Sequence, residues 1–234
     1  MFPEAATWDK ANGESGRMRH DGKRGMSTDR PGPEQPLNLG ERTVPRPAGT
    51  VILLRGGASA LEVLLVQRNP NARFMGGAWV FPGGAVDRDE GHGDRALRAA
   101  AVRELKEEAG ISLSDPETLI TFSRWITPAE VKTRYDTWFY LAPLPPGAEA
   151  RVDGNEVVDA RWYTPTAALE ARSRGELFMV FPTIKHLEQL SGFASADGVL
   201  AHARGREVHP VQPRVVMQGE TARIVLPGEP GYSD

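Results

Sequence analysis

Three glutamates in the middle of the chain, Glu104, Glu107 and Glu108, have the spacing of one face of an α-helix. Residues at i, i+3 and i+4 are neighbours on a helix surface, and like charges there destabilise an isolated helix by about 0.2–0.5 kcal/mol per pair. A cation held by the carboxylates would remove this repulsion. Mg²⁺ prefers oxygen ligands and is typically held by one or two carboxylates together with substrate phosphates. The spacing therefore predicts a metal site that acts on a phosphate ester.

A solvated acidic helix face is the alternative interpretation of the same three residues. Arg103 and Glu107 have the i, i+4 spacing of an exposed ion pair, which contributes roughly 0.3–0.5 kcal/mol. The flanking residues favour the metal site, because the helix follows a Phe-Pro-Gly-Gly turn at 81–84 and ends at Gly110, a helix-stopping residue. The other face of the helix carries an apolar stripe suited to a core, formed by Ala101, Val102, Leu105 and Ala109.

The whole segment from 84 to 111 resembles the signature of the Nudix hydrolases, G-x5-E-x7-R-E-U-x-E-E-x-G-U, in which U is a bulky aliphatic residue. The matching positions are Gly84, Glu90, Arg103, Glu104, Leu105, Glu107, Glu108, Gly110 and Ile111. Twelve residues, 91–102, separate Glu90 from Arg103, where the signature has seven. We assign the five extra residues to the loop before the helix, around 91–94. The counterpart of the first signature glutamate is therefore open between Glu90, Asp87, Asp89 and Asp94.

Two arginines, Arg68 and Arg73, lie upstream in a glycine-rich approach to this segment. Guanidinium groups suit phosphate by bidentate geometry, although ordinary surface charge at a strand end would also explain them. The surrounding residues resemble the motif LLTxRSx3Rx3Gx3FPGG of the coenzyme A diphosphatases, one branch of which has an enlarged Nudix signature. The motif is matched, with every spacing kept, at Leu64, Leu65, Arg68, Arg73, Gly77, Phe81, Pro82, Gly83 and Gly84. Val66 stands in place of Thr, and Asn69 in place of Ser.

The resemblance implies hydrolysis of a pyrophosphate bond in a nucleoside diphosphate-linked substrate, with Mg²⁺ or Mn²⁺ as cofactor. Coenzyme A or acyl-coenzyme A would give 3′,5′-ADP and (acyl-)4′-phosphopantetheine. The implied metal ligands are Gly84 (through its carbonyl), Glu104, Glu107 and Glu108. The implied catalytic residues are Arg103, which orients Glu104, and either Glu104 or Glu156 as general base. The implied substrate-binding residues are Arg68, Arg73 and Gly83.

Two other functions are compatible with the same residues. A Nudix hydrolase of a different branch would cleave ADP-ribose, NADH or a noncanonical nucleotide instead of coenzyme A. A non-catalytic Nudix-fold protein would serve as a binding or regulatory module. Such modules usually lose carboxylates of the signature, and none is missing from the helix here.

Aromatic residues in the predicted strands are candidates to stack on an adenine ring. They are Trp79, Trp125, Trp138 and Phe139. Because residues in strands usually contribute to the core, burial is the favoured alternative for most of them.

The composition excludes several classes of protein. The 234 residues contain no cysteine, which excludes disulfides, thiolate metal sites and cysteine nucleophiles. A formal net charge of −3 argues against broad nucleic-acid binding. No apolar run approaches the ~20 residues of a membrane helix, and the N-terminus lacks a secretory pattern. We therefore expect a soluble cytoplasmic protein with a nucleotide-type substrate and no membrane or nucleic-acid partner. A homodimer is expected by analogy with the family.

Three regions follow from the pattern along the chain: a disordered tail at 1–46, a Nudix domain at 47–195, and an extension at 196–234 packed on that domain. Apolar or β-branched runs predict strands at 49–55, 61–68, 78–81, 119–126, 135–142 and 157–163. Helices are predicted at 94–109, from Pro165 onward with Thr164 as N-cap, and at 182–194 and 197–204, with a hairpin within 207–226. The fold class is α+β: a Nudix α/β/α sandwich with a mixed sheet and a helical and hairpin extension.

Overall fold

The computed structural model describes residues 43–72, 74–218 and 221–232, so most of the predicted tail at 1–46 lies outside the described residues. The strands are β1 (Arg46–Arg55), β2 (Glu62–Arg68), β3 (Trp79–Val80), β4 (Gly83–Ala85), β5 (Ile120–Ile126), β6 (Tyr135–Pro143), β7 (Val157–Tyr163), β8 (Pro210–Val211), β9 (Arg214–Gln218) and β10 (Thr221–Val225). The helices are α1 (Asp94–Ala109), α2 (Pro165–Ser173), α3 (Phe181–Leu190) and α4 (Ala196–Ala203), and a 3₁₀ turn covers Pro116–Thr118. None of these described helices is long and apolar enough to cross a membrane.

Most of the described strands form one mixed sheet, in the order β3-β2-β1-β6-β5-β8, with β4 beside β1 and β7 beside β2. The pairs β1–β6 and β5–β8 are parallel, and the other pairs of this sheet are antiparallel. β9 and β10 form a separate antiparallel hairpin inside the predicted range 207–226. The mixed sheet predicted from the sequence is therefore confirmed.

Two hydrophobic clusters lie on opposite faces of the main sheet. Along β1, Val51 and Leu53 belong to one cluster and Ile52 and Leu54 to the other, and all four are fully buried. Helix α1 packs on the first face, and helices α2, α3 and α4 supply side chains to the second. Because both faces of β1 are covered, its sequence is a continuous aliphatic run instead of an alternating one. This helix–sheet–helix layering confirms the predicted α/β/α sandwich.

Local signals place the helix ends where the sequence predicts them. Helix α1 covers the predicted range 94–109 and ends at Gly110, whose φ of +68° allows its N–H to bond the carbonyl of Lys106. Thr164 accepts a hydrogen bond from the N–H of Ala167, which confirms the predicted N-cap of α2. The six predicted strands agree with β1, β2, β3, β5, β6 and β7 to within a few residues at each end.

The short strand β4 is the element that the sequence does not predict. The expected turn at 82–84 continues as a strand, in which Gly84 pairs with Gly49 of β1. A Cβ on Gly83 would lie 2.3 Å from Thr50 Oγ1, so the two backbones approach closely here. Glycine has a low strand propensity, and a strand held by such a long-range approach therefore leaves no local signal.

The C-terminal extension packs on the rest of the fold in its described part. Val199 and Leu200 of α4 are buried in the cluster that α2 and α3 also cover. β8 adds a strand beside β5, and Val225 of β10 is buried. Arg214 of β9 forms an ion pair with Glu130, in the loop between β5 and β6.

Candidate active site

Helix α1 carries the predicted carboxylates and lies directly on the sheet. A Cβ on Gly49 of β1 would sit 2.1 Å from the carbonyl oxygen of Leu97, so a larger residue would push the helix away. Ala101 and Leu105 of α1 pack in the buried cluster of this interface and are fully shielded from solvent. The close packing brings the last two turns of α1 beside β4.

The glycines of β4 bring backbone groups to two of the carboxylates. A Cβ on Gly84 would lie 2.2 Å from Glu104 Oε1, so the absence of a side chain makes room for this carboxylate. The N–H of Gly83 donates a hydrogen bond to Glu108 Oε2 at 3.0 Å. The Phe-Pro-Gly-Gly segment therefore forms one wall of a site whose other wall is α1.

Arg103 holds several acidic groups at once. Its Nη1 donates to Glu104 Oε1 at 2.8 Å and to Glu107 Oε2 at 3.0 Å. Its Nε donates to Glu90 Oε1 at 2.9 Å, and its Nη2 donates to the carbonyl of Ala85 at 3.0 Å. The hydrogen bond to Glu90 first, and then the bond to Glu104, raise the pKa of Arg103 above its ordinary value, although burial opposes them. Arg103 therefore stays charged and fixes the orientation of Glu104 against β4.

Among the four acids that could correspond to the first signature glutamate, Glu90 is the one that forms the shortest contact with Arg103. Its Oε2 also accepts a hydrogen bond from the N–H of Asp87 at 2.7 Å, whereas the Asp87 carboxylate lies 3.6 Å from Arg103. Asp94 pairs with Arg98 instead. Of the twelve residues between Glu90 and Arg103, 91–93 lie in the loop and 94–102 belong to α1. Placing all five extra residues in the loop is therefore wrong, because at least two of them lengthen the helix.

The three helix glutamates have different environments despite their shared spacing. Glu108 is 2% exposed, while the side chain of Glu104 is 14% exposed and that of Glu107 is 59% exposed. Burial raises the pKa of Glu108 to about 8, and the Gly83 N–H and the charge of Arg68 offset this only in part. Burial also raises the pKa of Glu104. Perturbed carboxylates that cluster beside glycine backbone are typical of functional sites.

Arg68 is the described member of the upstream arginine pair, and it lies at this site. Its Nη1 is 3.9 Å from Glu108 Oε1, and its Nε donates to the carbonyl of Phe74 at 3.3 Å. Its side chain is still 27% exposed, which leaves it accessible to a ligand. Arg73 lies outside the described residues. The structure thus brings Arg68 together with Glu108, although 40 positions separate them in the sequence.

Glu156 lies in the loop between β6 and β7, and its charge influences the same carboxylates. After burial, its negative charge is one of the causes that raise the pKa of Glu104 and of Glu108. Its N–H donates to Asp153 Oδ2 at 3.0 Å, and its carbonyl accepts from the N–H of Asn69 at 2.8 Å. The Glu156 side chain itself is exposed. The backbone of this loop is therefore held while its carboxylate remains accessible.

Asp153 and Asn69 are two residues of this region that sequence reasoning missed. Asp153 Oδ1 accepts from the N–H of Val157 at 3.0 Å, so its carboxylate closes the loop that carries Glu156. Asn69 joins that loop to the end of β2. The available signal was turn chemistry, because Asp and Asn often bond backbone N–H groups a few residues further on.

The aromatic candidates for adenine stacking divide into two pairs. Trp79 and Phe139 are 3% and 7% exposed. They are core residues and not adenine-stacking residues, because a ring buried in the core offers no free face to a ligand. Trp125 and Trp138 are only partly buried and pack at the margins of the two clusters. The guanidinium of Arg124 lies 5.1 Å from the centre of the Trp138 ring.

The donor atoms gathered at the site suit a hard divalent cation, since they are carboxylate oxygens and backbone groups. In the part of the chain that the structure describes, no three His, Cys, Asp or Glu side chains are already grouped to hold a metal ion. One reason is Arg103, which draws the oxygens of Glu104 and Glu107 to itself. The buried carboxylate of Glu108 nevertheless fits a cation, because a positive charge would offset its desolvation.

Comparison with known proteins identifies similar sequences across most of the chain. A family model described as NUDIX domain matches residues 44–181. The "Putative nudix hydrolase 7" of Caenorhabditis elegans is 26% identical over 205 residues, covering 73% of this chain and 68% of that protein. The "Acyl-coenzyme A diphosphatase NUDT19" of Homo sapiens is 23% identical over 274 residues, covering 75% of this chain and 73% of that protein.

Two further similarities concern a shorter segment and the fold. The "Peroxisomal coenzyme A diphosphatase ndx-8" of Caenorhabditis elegans is 39% identical over 69 residues, covering 29% of this chain and 28% of that protein. The crystal structure of a NUDIX hydrolase from Alicyclobacillus acidocaldarius superimposes with a TM-score of 0.61 and 27% identity. That superposition covers 69% of this chain and 97% of the other.

Proposed function

Because the chain belongs to the Nudix family and is a Nudix hydrolase, we propose that it cleaves the pyrophosphate bond of coenzyme A or of an acyl-coenzyme A. Pyrophosphate hydrolysis is the activity of this family of hydrolases. The choice of coenzyme A as substrate is carried by the position of Arg68, the arginine of the upstream motif, 3.9 Å from the buried carboxylate of Glu108. The relatives named acyl-coenzyme A diphosphatases support the same substrate class.

The proposed cofactor is Mg²⁺ or Mn²⁺, and Nudix hydrolases generally use divalent metal ions. We assign the ligand positions to Glu104, Glu107, Glu108 and the carbonyl of Gly84. When bound, the ion supplies neutralisation of the charge on the pyrophosphate and acidification of the attacking water. The buried carboxyl group of Glu108 is the feature of this chain that most favours such an ion, because a cation would stabilise its ionised form.

The chain's own residues supply positioning and proton transfer. The guanidinium of Arg68 suits bidentate contact with phosphate oxygens, and Arg73 is assigned the same task from the motif alone. The N–H of Gly83 orients Glu108, and Arg103 orients Glu104. These contacts hold the phosphate and the two glutamates in place before the pyrophosphate bond breaks.

Glu156 is the proposed general base, since its carboxylate is exposed beside the site and free of the Arg103 network. Glu156 accepts a proton as water adds to one phosphorus of the pyrophosphate. The bond from that phosphorus to the bridging oxygen then breaks. The products are 3′,5′-ADP and 4′-phosphopantetheine, or its acyl form, and each phosphate monoester keeps one phosphorus of the original pair.

A substrate panel tests this proposal. Purified protein would be assayed with coenzyme A, acetyl- and longer acyl-coenzyme A, ADP-ribose and NADH, with Mg²⁺, with Mn²⁺ and with EDTA, and the products separated by chromatography. We expect metal-dependent release of 3′,5′-ADP with the highest kcat/KM on a coenzyme A substrate. Much faster cleavage of ADP-ribose or NADH would overturn the substrate assignment, and no turnover of any pyrophosphate would favour a binding module.

Two further predictions concern the protein's location in the cell and its oligomeric state. We propose a cytoplasmic location and a homodimer, as expected from the sequence and the family. Fluorescent fusion microscopy tests the location, and light scattering at several concentrations tests the dimer. A punctate organellar signal or a monomer mass would contradict the respective prediction.

A further inference from the structure

We propose that Asn69 is a positioning residue that sets the place of Glu156, by bonding the Glu156 loop to the end of β2. The inference rests on the proposed function, since Glu156 is the proposed general base, and it goes further by assigning what holds that base. Asn69 does not touch the substrate in this scheme and acts only through the loop at 153–157. This loop connects β6 to β7, and the side chain of Glu156 within it is exposed.

Three hydrogen bonds of Asn69 carry the proposal. Its backbone N–H donates to the carbonyl of Glu156 at 2.8 Å. Its side-chain Nδ2 donates to the carbonyl of Asn155 at 2.7 Å. Its Oδ1 accepts from the N–H of Asn71 at 2.9 Å, which closes a tight turn after β2. One residue therefore bonds two consecutive carbonyls of the loop and, at the same time, the turn that follows Arg68.

Asp153 holds the other side of the same loop. Its carboxylate accepts from the N–H groups of Glu156 and Val157, each at 3.0 Å. The N–H of Glu156 is thus bonded to Asp153 and its carbonyl to Asn69. Because both peptide groups that flank the Glu156 Cα are held, an exposed side chain leaves the backbone from a defined point.

The same residue connects the proposed base to the proposed phosphate-binding arginine. Asn69 follows Arg68 directly in the chain, and Arg68 lies 3.9 Å from Glu108. The hydrogen bonds of Asn69 to the carbonyls of Asn155 and Glu156 hold the Glu156 loop beside the end of β2 that carries Arg68. A displacement of the loop at 153–157 would therefore move the base relative to the phosphate.

The chain's departure from the coenzyme A motif gives a discriminating variant. The motif has Ser at this position, and Asn69→Ser keeps an oxygen that can accept from the N–H of Asn71. A serine side chain is too short to donate to the carbonyl of Asn155, so Asn69→Ser removes only this side-chain bond, and the backbone bond to the Glu156 carbonyl remains. Asn69→Ala removes both side-chain bonds. Asn71→Ser is the matched control, because the exposed side chain of Asn71 makes none of these bonds.

The kinetic test is a double-mutant cycle with Glu156→Gln on the best substrate of the panel. We expect Asn69→Ser and Asn69→Ala to lower kcat about tenfold with KM changed less than about threefold, because a misplaced base affects the chemical step. In the Glu156→Gln background, Asn69→Ser should produce no further loss. Asn71→Ser should leave kcat unchanged. A full tenfold loss in the Glu156→Gln background would overturn the proposal, because Asn69 would then act through another group.

A second measurement does not depend on turnover. Hydrogen exchange of the backbone amides at 153–157 should speed up about tenfold in Asn69→Ser, while exchange in α1 stays at its wild-type rate. Unchanged exchange at 153–157 would overturn the proposal whatever the kinetics show. If the wild-type protein turned over no substrate of the panel, the proposed function would fail, and the exchange result would still decide whether Asn69 holds the loop. If Glu156→Gln kept full activity while Glu108→Gln lost it, hydrolysis would stand and the positioning role would fall.

Discussion

Glu108 and His186 are titratable residues buried on opposite faces of the main sheet, Glu108 from α1 and His186 from α3. They are 2% and 1% exposed. Burial raises the pKa of Glu108 to about 8 and lowers the pKa of His186 to about 3. In both cases burial favours the neutral form, but the neutral form is the protonated one for Glu108 and the deprotonated one for His186.

The neighbours of the two groups differ in kind. His186 Nε2 lies 2.5 Å from Ser123 Oγ, and aromatic rings surround the imidazole, the nearest being Phe139 with centroids 4.2 Å apart. These partners suit a neutral imidazole. Glu108 has the Gly83 N–H at 3.0 Å, but its ion-pair partner Arg68 is 3.9 Å away.

The charges around each buried group distinguish a candidate metal ligand from a residue of the core. Although no described residue bonds the Nδ1 of His186, the neutral imidazole needs no opposite charge from a ligand. The surroundings of Glu108 contain other negative charges, which add to burial in raising its pKa, and too little positive charge to offset them. A cation would offset the negative charges around Glu108, whereas the neutral imidazole of His186 has no charge to offset. Four predictions follow from this contrast, the largest effect first.

Glu108→Gln should abolish hydrolysis, with kcat/KM lower by about 10³-fold, since an amide keeps the shape but cannot hold the cation by charge. The measurement is initial rates with saturating Mg²⁺ on the best substrate of the panel. His186→Phe is the control on the other face, and it should stay within about threefold of wild type because the site does not use that residue. Equal losses in the two variants would contradict the contrast.

The metal-free protein should become less stable as pH rises, because of Glu108. The pKa of Glu108 in the folded protein, about 8, lies above the ordinary 4.5. The free-energy cost of burying its ionised form is therefore absent below pH 4.5, grows between pH 4.5 and 8 and levels off above pH 8. We expect a loss of about 2–4 kcal/mol in the free energy of unfolding between pH 5 and 8. Urea unfolding in EDTA measures it. Glu108→Gln should flatten this slope, and an unchanged slope in that variant would refute the assignment.

His186 should produce the opposite slope at acid pH. The pKa of His186 in the folded protein, about 3, lies below the ordinary 6.5. The contribution of its neutral imidazole to the free energy of unfolding is therefore fully present above pH 6.5 and is lost as the pH falls toward 3. We expect His186→Phe to reduce stability at pH 7 by about 1–2 kcal/mol, because Ser123 loses its partner. The variant should also lose less stability than wild type between pH 6.5 and 4. Parallel acid curves for the two proteins would show that the imidazole does not control this range.

Glu90→Gln should have the smallest effect, a loss of about tenfold in kcat. The ion pair of Glu90 with Arg103 at 2.9 Å helps to hold the guanidinium that orients Glu104. Asp89→Asn is the matched control, because Asp89 is an exposed acid one position away. Steady-state kinetics distinguishes the two, and a larger effect in Asp89→Asn would reverse the assignment of the signature glutamate.

Elements with strong local signals could be predicted from the sequence. Helix α1 has an apolar stripe and a glycine stop at Gly110, and it spans the predicted residues. The aliphatic run of β1 is long enough to identify a buried strand. β4 could not be predicted, because its two glycines carry no strand signal and its partner β1 is far away in the sequence.

The candidate site divides in the same way. The spacing of Glu104, Glu107 and Glu108 depends only on helix geometry, so the sequence predicts that these carboxylates share one helix face, whereas the structure brings Gly83 and Gly84 beside Glu108 and Glu104. The different burial of Glu108 and Glu107, and the bond of Glu90 to Arg103 across the enlarged signature, appear only in the folded structure.

Helix α1 and its row of carboxylates could be predicted because periodicity is local to one element, and the resemblance to the Nudix family follows from the residues of the signature. The tertiary structure decided which groups from distant strands complete the site: Arg68 beside Glu108, and Asn69 bonded to the Glu156 loop. Such contacts join separate segments across the sheet, and their formation depends on the packing of the whole domain. The physical reason is that burial and long-range hydrogen bonds are properties of the assembled fold, whereas periodicity is a property of the chain.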